Sequence, residues 1–380
     1  MENTHYASWF FGYLIAICIA GAIHSFSYYI FFYKTSPLLQ KVGFYTCVTL
    51  IILNVLYLLL RNVHIYVFID FILALSIGIG FLLFAGAVFY CICLSPFLLV
   101  STKEQYYHFA PYIRYLSLFL VLISIVFSFY NSFKTPILKT ITLPIKNLTQ
   151  ELKVIQISDL HISTLSSAKE IQKIISIVNA QNPDIIVLTG DIVDAKSSFI
   201  LDKINLLRNL SAHYGIYYVL GNHEYYFDTQ NILNLLKDNK FIILNNSSST
   251  LFDSNHQPLI NIIGITDFEG DRLHFLQPDP KNAILKRNPN IPSIFLSHQP
   301  KVIKMIQNQR IDLVLSGHTH GGQIFPFNFL VPLQQPYVKG LHQFEKGSFI
   351  YVSQGTGTWG PPMRLGTQSE ITLFTLKPQK

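Results

Sequence analysis

Hydrophobic positions in the first third of the chain run on with almost no polar interruption, and in the remainder they come in short bursts broken by polar residues. Trp9–Tyr33 holds no charged residue and ends at Lys34. Val42–Leu60 ends at Arg61, and Tyr115–Phe133 ends at Lys134. Val67–Val100 is longer and carries one acid, Asp70, near its start. Roughly 20 apolar residues in a helix cross the hydrocarbon core of a bilayer. The pattern therefore predicts about four transmembrane helices, near 9–33, 42–60, 67–100 and 115–133. The third has length to spare and can tilt, or bend near Gly78 and Gly80. Ala20-Gly21-Ala22 has the small-x-small pattern of a cleavage site, but no basic segment precedes it and three more apolar stretches follow. The first stretch is read as retained.

Beyond it the period changes. Residues 134–150 carry Pro136 and Pro144 and read as a linker, and 151–380 read as one domain. Short β-branched runs predict strands at Val154–Ser158, Ile185–Thr189, Ile216–Leu220, Ile260–Ile265, Ile294–Ser297, Leu313–Ser316, Phe349–Ser353 and Ile371–Leu376. Helical stretches are expected at Ala168–Asn179, Phe199–Leu210, Asn231–Asp238 and Pro300–Gln309. Strand alternating with helix indicates an α/β domain. The last strands follow one another without helices, so part of the sheet system is expected to be antiparallel.

Composition agrees with the split. Half of the residues are hydrophobic and 13% are charged, against roughly 25% charged in soluble domains. Residues 1–150 hold eight Lys/Arg and three Asp/Glu; residues 151–380 hold twenty and eighteen. The excess positive charge thus flanks apolar segments, and no basic stripe on the second part suggests nucleic acid. Arg61, Lys134, Lys139 and Lys146 fall on one side of the four spans, and Lys34, Lys41, Lys103 and Arg114 on the other, so the charges do not orient the chain. Asp70 is an intramembrane acid candidate, but its place near a segment end favours an interfacial, solvated carboxylate. All four cysteines (Cys18, Cys47, Cys91 and Cys93) lie in the apolar part, which excludes a disulfide framework or a zinc–thiolate site in the rest.

The chemistry is concentrated at strand ends. Asp159 and His161 follow the first strand of the second part. Gly190-Asp191 follows the next, then Gly221-Asn222-His223-Glu224, then His298, then Gly317-His318-Thr319-His320-Gly321-Gly322. In open α/β sheets, ligand sites form outside the carboxyl ends of strands. Asp, Asn and His donors suit Mn, Fe, Zn or Co better than a calcium site built of oxygen alone. A lone Asp-x-His or Gly-Asp is commonplace, as a cap or a turn. Five such clusters at five successive strand ends are not.

These ordered motifs resemble those of the calcineurin-like metallophosphoesterases, over roughly residues 151–380. The resemblance implies a four-layer αββα sandwich, here preceded by the membrane helices. It implies that Asp159, His161, Asp191 and His320 hold one divalent metal ion. Asp191, Asn222, His298 and His318 would hold a second, with Asp191 bridging. Two metals roughly 3.5–4 Å apart can activate a hydroxide and clamp the oxygens of an in-line displacement. His223 would lie near the scissile phosphate as general acid or oxyanion donor, with Asn222 beside the substrate. Glu224 stands where the family often has Asp, which leaves its role open.

Gly355–Arg364 resembles a C-terminal loop of the branch that carries membrane segments, and Arg364 is expected to contact the substrate phosphate. That branch includes phosphodiesterases and UDP-2,3-diacylglucosamine hydrolases. It suggests a phosphodiester or pyrophosphate substrate, possible lipid linkage and a multi-pass protein of a bacterial inner membrane. Two other readings stay open: a phosphomonoesterase or protein phosphatase merely located at the membrane, and a metal-binding scaffold without catalysis. Ile324, Phe325, Phe327, Phe329, Leu330 and Val331, after the last His pair, either face lipid or pack beneath their own loop. His213, His256, His274 and His342 have no motif context.

Overall fold

A computed structural model describes residues 2–60, 63, 66–100 and 102–379. Arg61, one of the flanking charges counted above, lies outside the described residues. The chain divides into two compact units, residues 1–133 with Gly360–Leu365, and residues 134–359 with 366–380.

The first unit contains α1 (Glu2–Phe31), α2 (Pro37–Leu60), α3 (Val67–Val100) and α4 (Lys103–Ser132). All four are long and apolar enough to cross a membrane. α3 runs unbroken through Gly78 and Gly80. α4 starts well before the expected Tyr115. Hydropathy marks the apolar part of a helix, whereas the start is set by a capping box. Thr102 Oγ1 accepts from the Gln105 N–H at 3.3 Å, and Gln105 Oε1 accepts from the Thr102 N–H at 3.0 Å. Polar side chains bond each other inside this unit. Asn54 Nδ2 lies 2.9 Å from His24 Nε2, and Ser76 Oγ donates to Asn54 Oδ1 at 2.8 Å. Residues 360–365 pack here too: the Arg364 N–H donates to Ser128 O at 2.8 Å and Ser132 Oγ donates to Pro362 O at 2.6 Å.

The second unit stacks two six-stranded sheets. The strands are β1 (Ile137–Ile145), β2 (Leu152–Ile157), β3 (Ile185–Thr189), β4 (Ile216–Val219), β5 (Ile242–Ile243), β6 (Ser247–Phe252), β7 (Pro258–Gly264), β8 (Ser293–Leu296), β9 (Leu313–Ser316), β10 (Gly340–Glu345), β11 (Ser348–Val352) and β12 (Glu370–Pro378). One sheet has the order β1-β12-β2-β3-β4-β5, the other β10-β11-β9-β8-β7-β6. Both are mixed: β12 runs antiparallel to β2, and β10 antiparallel to β11.

Alternation along single strands explains the layering. Val154, Ile185, Val187, Ile294, Leu313 and Leu315 fill the core between the sheets. Their neighbours Ile155, Ile186 and Leu188 point the other way, into a core with α5 (Ala168–Asn179), α6 (Ser197–Ile204) and α8 (Thr229–Asp238). Phe295, Val314 and Ile350 form the outer core of the second sheet. The result is a helix–sheet–sheet–helix sandwich.

Several boundaries need correction. Residues 137–145 are not a linker: β1 pairs in parallel with β12 along its whole length. Leu143 and Ile145 are buried between the sheets, and the prolines are tolerated because β1 is an edge strand. Gly360–Leu365, expected within the second domain, belongs to the helical unit. The expected helix Phe199–Leu210 is α6 followed by a 3-10 turn at Asn205–Asn209. Of the expected helix Pro300–Gln309, only a 3-10 turn at Pro300–Lys304 forms.

Candidate metal centre

The loops leaving β2, β3, β4, β8 and β9 carry the polar residues, and those after β2, β3 and β9 do so on an unusual backbone. Asp159, His161, Asp191, His318 and His320 all have positive φ, between 47° and 70°. For residues with a Cβ, this left-handed region is costly and is found where surrounding structure enforces it, often at functional sites. Close approach of backbone is the reason for two of the glycines. A Cβ on Gly317 would stand 2.2 Å from Asp159 Oδ2, and one on Gly221 would stand 2.2 Å from Asp191 Oδ1.

The ligand atoms fall into groups. Asp159, His161 and His320 converge, and so do Asp191, His298 and His318. In the first, His320 Nε2 lies 3.3 Å from Asp159 Oδ1 and 3.0 Å from His161 Nε2. In the second, His298 Nε2 lies 3.1 Å from Asp191 Oδ2, and His318 Nδ1 lies 2.9 Å from Asn222 Oδ1. Asp191 Oδ2 is also 3.8 Å from His161 Nε2, which sets Asp191 between the two groups.

Hydrogen bonds fix which atoms face inward. His298 Nδ1 donates to the Thr189 carbonyl at 2.8 Å, which leaves Nε2 as the atom turned toward Asp191. That Nε2 is buried and makes no hydrogen bond. Asp159 accepts from Ser158 Oγ at 2.5 Å and from the His318 N–H at 2.9 Å. Asp191 Oδ1 accepts from the His223 N–H at 2.8 Å.

Electrostatics match. Burial, then the nearby His223, draws His161 down to about 3. Burial, then His298, draws His318 down to about 3. Both rings are neutral and carry lone pairs. Burial alone would raise the Asp191 and Asp159 carboxyls, but the imidazoles around them, His298 and His320 first, hold both below the usual range. Burial would lower His298, but the Asp191 charge outweighs it and raises it well above the usual imidazole range. His161 and His318 thus offer lone pairs beside two anionic carboxylates, and the proton held on His298 occupies a place that a metal ion could take. This donor set fits divalent cations.

Sequence reading missed one residue and left another open. Asp194 Oδ1 lies 2.8 Å from His223 Nδ1, and His161, Asp194 and His223 form a third convergent group. The one signal was its place three residues after Asp191. Glu224 is fully buried and accepts from the backbone: Gly221 N–H at 2.6 Å, Asp191 N–H at 3.0 Å and Ile192 N–H at 2.7 Å. It ties the loop after β4 to the loop after β3. Burial, then the Asp191 charge, pushes it up to about 7 against those bonds. Arg364 is placed with the helical unit and its side chain has no exposed surface. His213, His256 and His274 are exposed, and His342 stacks on Tyr337.

Residues 152–322 match the family model described as calcineurin-like phosphoesterase. The chain is 39% identical over 267 residues to an uncharacterized metallophosphoesterase of Campylobacter jejuni, covering 70% of this chain and 68% of that one. It belongs to the calcineurin-like metallophosphoesterases. These are phosphoric ester hydrolases that use divalent metals. A bovine transmembrane protein with metallophosphoesterase domain is 35% identical over 259 residues, 65% of this chain and 58% of that one. Among solved structures, a 5'-nucleotidase precursor from Thermus thermophilus aligns over 59% of this metallophosphoesterase and 55% of its own chain, at 17% identity and a TM-score of 0.39.

Proposed function

We propose that this metallophosphoesterase is anchored by its four helices and cleaves a phosphodiester or pyrophosphate bond at a pair of divalent ions, on a substrate presented by the membrane. The carrying observation is Asp191 Oδ2, 3.1 Å from His298 Nε2 and 3.8 Å from both His161 Nε2 and His223 Nε2. Asp159, His161 and His320 would hold one ion, and Asn222, His298 and His318 the other, with Asp191 shared. When bound, such ions supply Lewis acidity: they neutralise phosphate oxygens and acidify water. Mn, Fe and Zn all suit the donor set.

The chain's own residues do the rest. Asp194 holds His223 by Nδ1 at 2.8 Å, so Nε2 is the atom presented to the cluster. The Asp194 carboxylate supports the imidazolium, which donates its Nε2 proton to the leaving oxygen. Glu224 keeps Asp191 in place through the backbone on which it sits. Burial of the donors excludes bulk water and strengthens each charge interaction. Confinement of enzyme and substrate to one bilayer raises their effective concentration. A lipid-linked nucleotide diphosphate such as UDP-2,3-diacylglucosamine, in a bacterial inner membrane, is one substrate of this class.

The test is a comparison of bis-p-nitrophenyl phosphate with p-nitrophenyl phosphate, using Mn²⁺ and the full chain in detergent. The diester reading expects the higher kcat/KM on the diester. A clear preference for the monoester would make this a phosphomonoesterase that the membrane merely locates.

A further inference from the structure

Three residues after His320 the chain enters a stretch, Gln323–Val338, with no Asp, Glu, Lys or Arg, closed by Lys339. Ile324 and Val331 turn inward and are buried. Phe325, Phe327, Phe329, Leu330 and Leu333 are 49%, 39%, 67%, 52% and 80% exposed. The loop is not slack. The Phe327 N–H donates to Ile324 O at 2.9 Å, the Leu330 N–H to Phe327 O at 2.9 Å and the Leu333 N–H to Leu330 O at 3.1 Å. Thr319 Oγ1 donates to Val338 O at 2.6 Å and closes its base. Trp359, 40% exposed, is fastened to the start of the loop. Its N–H donates to Gln323 Oε1 at 3.1 Å, and Gln323 Nε2 donates to its carbonyl at 2.9 Å.

Held open to water, this much apolar surface is unfavourable, and a contiguous patch of it marks a binding surface. The covalent chain says what covers it. Gly360, the residue after Trp359, opens the 360–365 segment that packs with the four apolar helices. Consecutive Cα atoms are about 3.8 Å apart, so Trp359 stands one residue from chain bound to the membrane unit. Aromatic rings with a polar handle favour the bilayer interface, and apolar faces of interfacial elements sink roughly 5–10 Å below the headgroups. The absence of charge across the loop suits that layer better than the polar rim of a protein interface.

We infer that Phe325, Phe327, Phe329, Leu330, Leu333 and Trp359 form a lip seated in the interfacial layer of the bilayer. The lip brings the membrane surface to within a few residues of His320. The inference rests on the membrane placement of the chain and not on which bond it cleaves.

The chain has two tryptophans, Trp9 and Trp359, so Trp9→Phe leaves Trp359 as the reporter. The full-length variant is reconstituted in phosphatidylcholine vesicles, with or without lipid brominated near the carbonyl end of its acyl chains. Seating in the interface should quench Trp359 emission by about half or more. Adding Phe327→Ser, Phe329→Ser and Leu333→Ser should abolish that quenching while metal-dependent hydrolysis of soluble bis-p-nitrophenyl phosphate persists, which shows that the variant folds. Trp359 emission untouched by brominated lipid but quenched by aqueous iodide would overturn the inference and leave a soluble protein as the occupant. Failure of the diester preference would leave the quenching result unchanged, so the two readings fail separately.

Discussion

Within the helical unit, Asn54 lies 2.9 Å from His24 Nε2 and takes a hydrogen bond from Ser76 Oγ at 2.8 Å. At the strand ends, His161 Nε2 and His320 Nε2 lie 3.0 Å apart, and His298 Nε2 lies 3.1 Å from Asp191 Oδ2 without a hydrogen bond. Both clusters are buried and both contain histidine. In the first, donors meet acceptors between the three side chains and only His24 Nδ1 is left without a hydrogen bond; such contacts hold helices together in an apolar medium. In the second, two buried carboxylates meet the lone pairs of neutral His161 and His318, and all four residues sit on backbone held at positive φ. Burial cannot by itself repay that arrangement. A cluster of neutral donors and acceptors is packing, whereas one in which buried carboxylates converge with imidazoles calls for positive charge.

Substitutions test that division, and the largest effect belongs to the shared carboxylate. Asp191→Asn removes the charge common to both groups, and metal-dependent hydrolysis of bis-p-nitrophenyl phosphate should fall by about three orders of magnitude. His223→Asn removes the proton donor but no expected ligand. A loss of about 10²–10³ in kcat is expected, with bound metal unchanged by elemental analysis. Asp194→Asn acts through His223 and should cost about 10–100-fold. Without the carboxylate the imidazolium is less supported, so the alkaline limb of the pH–rate profile should move to lower pH; a uniform loss across pH would deny the pairing. Asn54→Leu is the smallest. It should destabilise the protein by about 1 kcal/mol, read as a lower Tm in detergent, and leave hydrolysis unchanged. A tenfold loss of activity there would break the distinction between the clusters.

The same contrast explains what the sequence disclosed. β3 and β9 are covered on both faces, so Ile185–Thr189 and Leu313–Ser316 appear as unbroken apolar runs with the observed boundaries. β6, Ser-Ser-Ser-Thr-Leu-Phe, and β10 lie at sheet edges, where partial exposure removes that signature. The prolines of β1 concealed a third edge strand. The metal donors were legible because all sit just past strand ends. Asp194 was not, because a carboxylate three residues into a loop resembles any solvated acid until His223 is folded against it. The backbone bonds of Glu224 were equally hidden, since they join segments that only the parallel pairing of β3 and β4 brings together. Nothing in a Gly/Pro-rich turn announced that the Arg364 side chain would be wholly buried.

The most direct test of the central claim is metal stoichiometry by elemental analysis on the full-length protein purified with Mn²⁺, with hydrolysis assayed before and after chelation. Two ions per chain, activity lost on chelation and restored by Mn²⁺, and about one ion or fewer in Asp191→Asn are expected. Wild-type hydrolysis that survives complete removal of metal would contradict it.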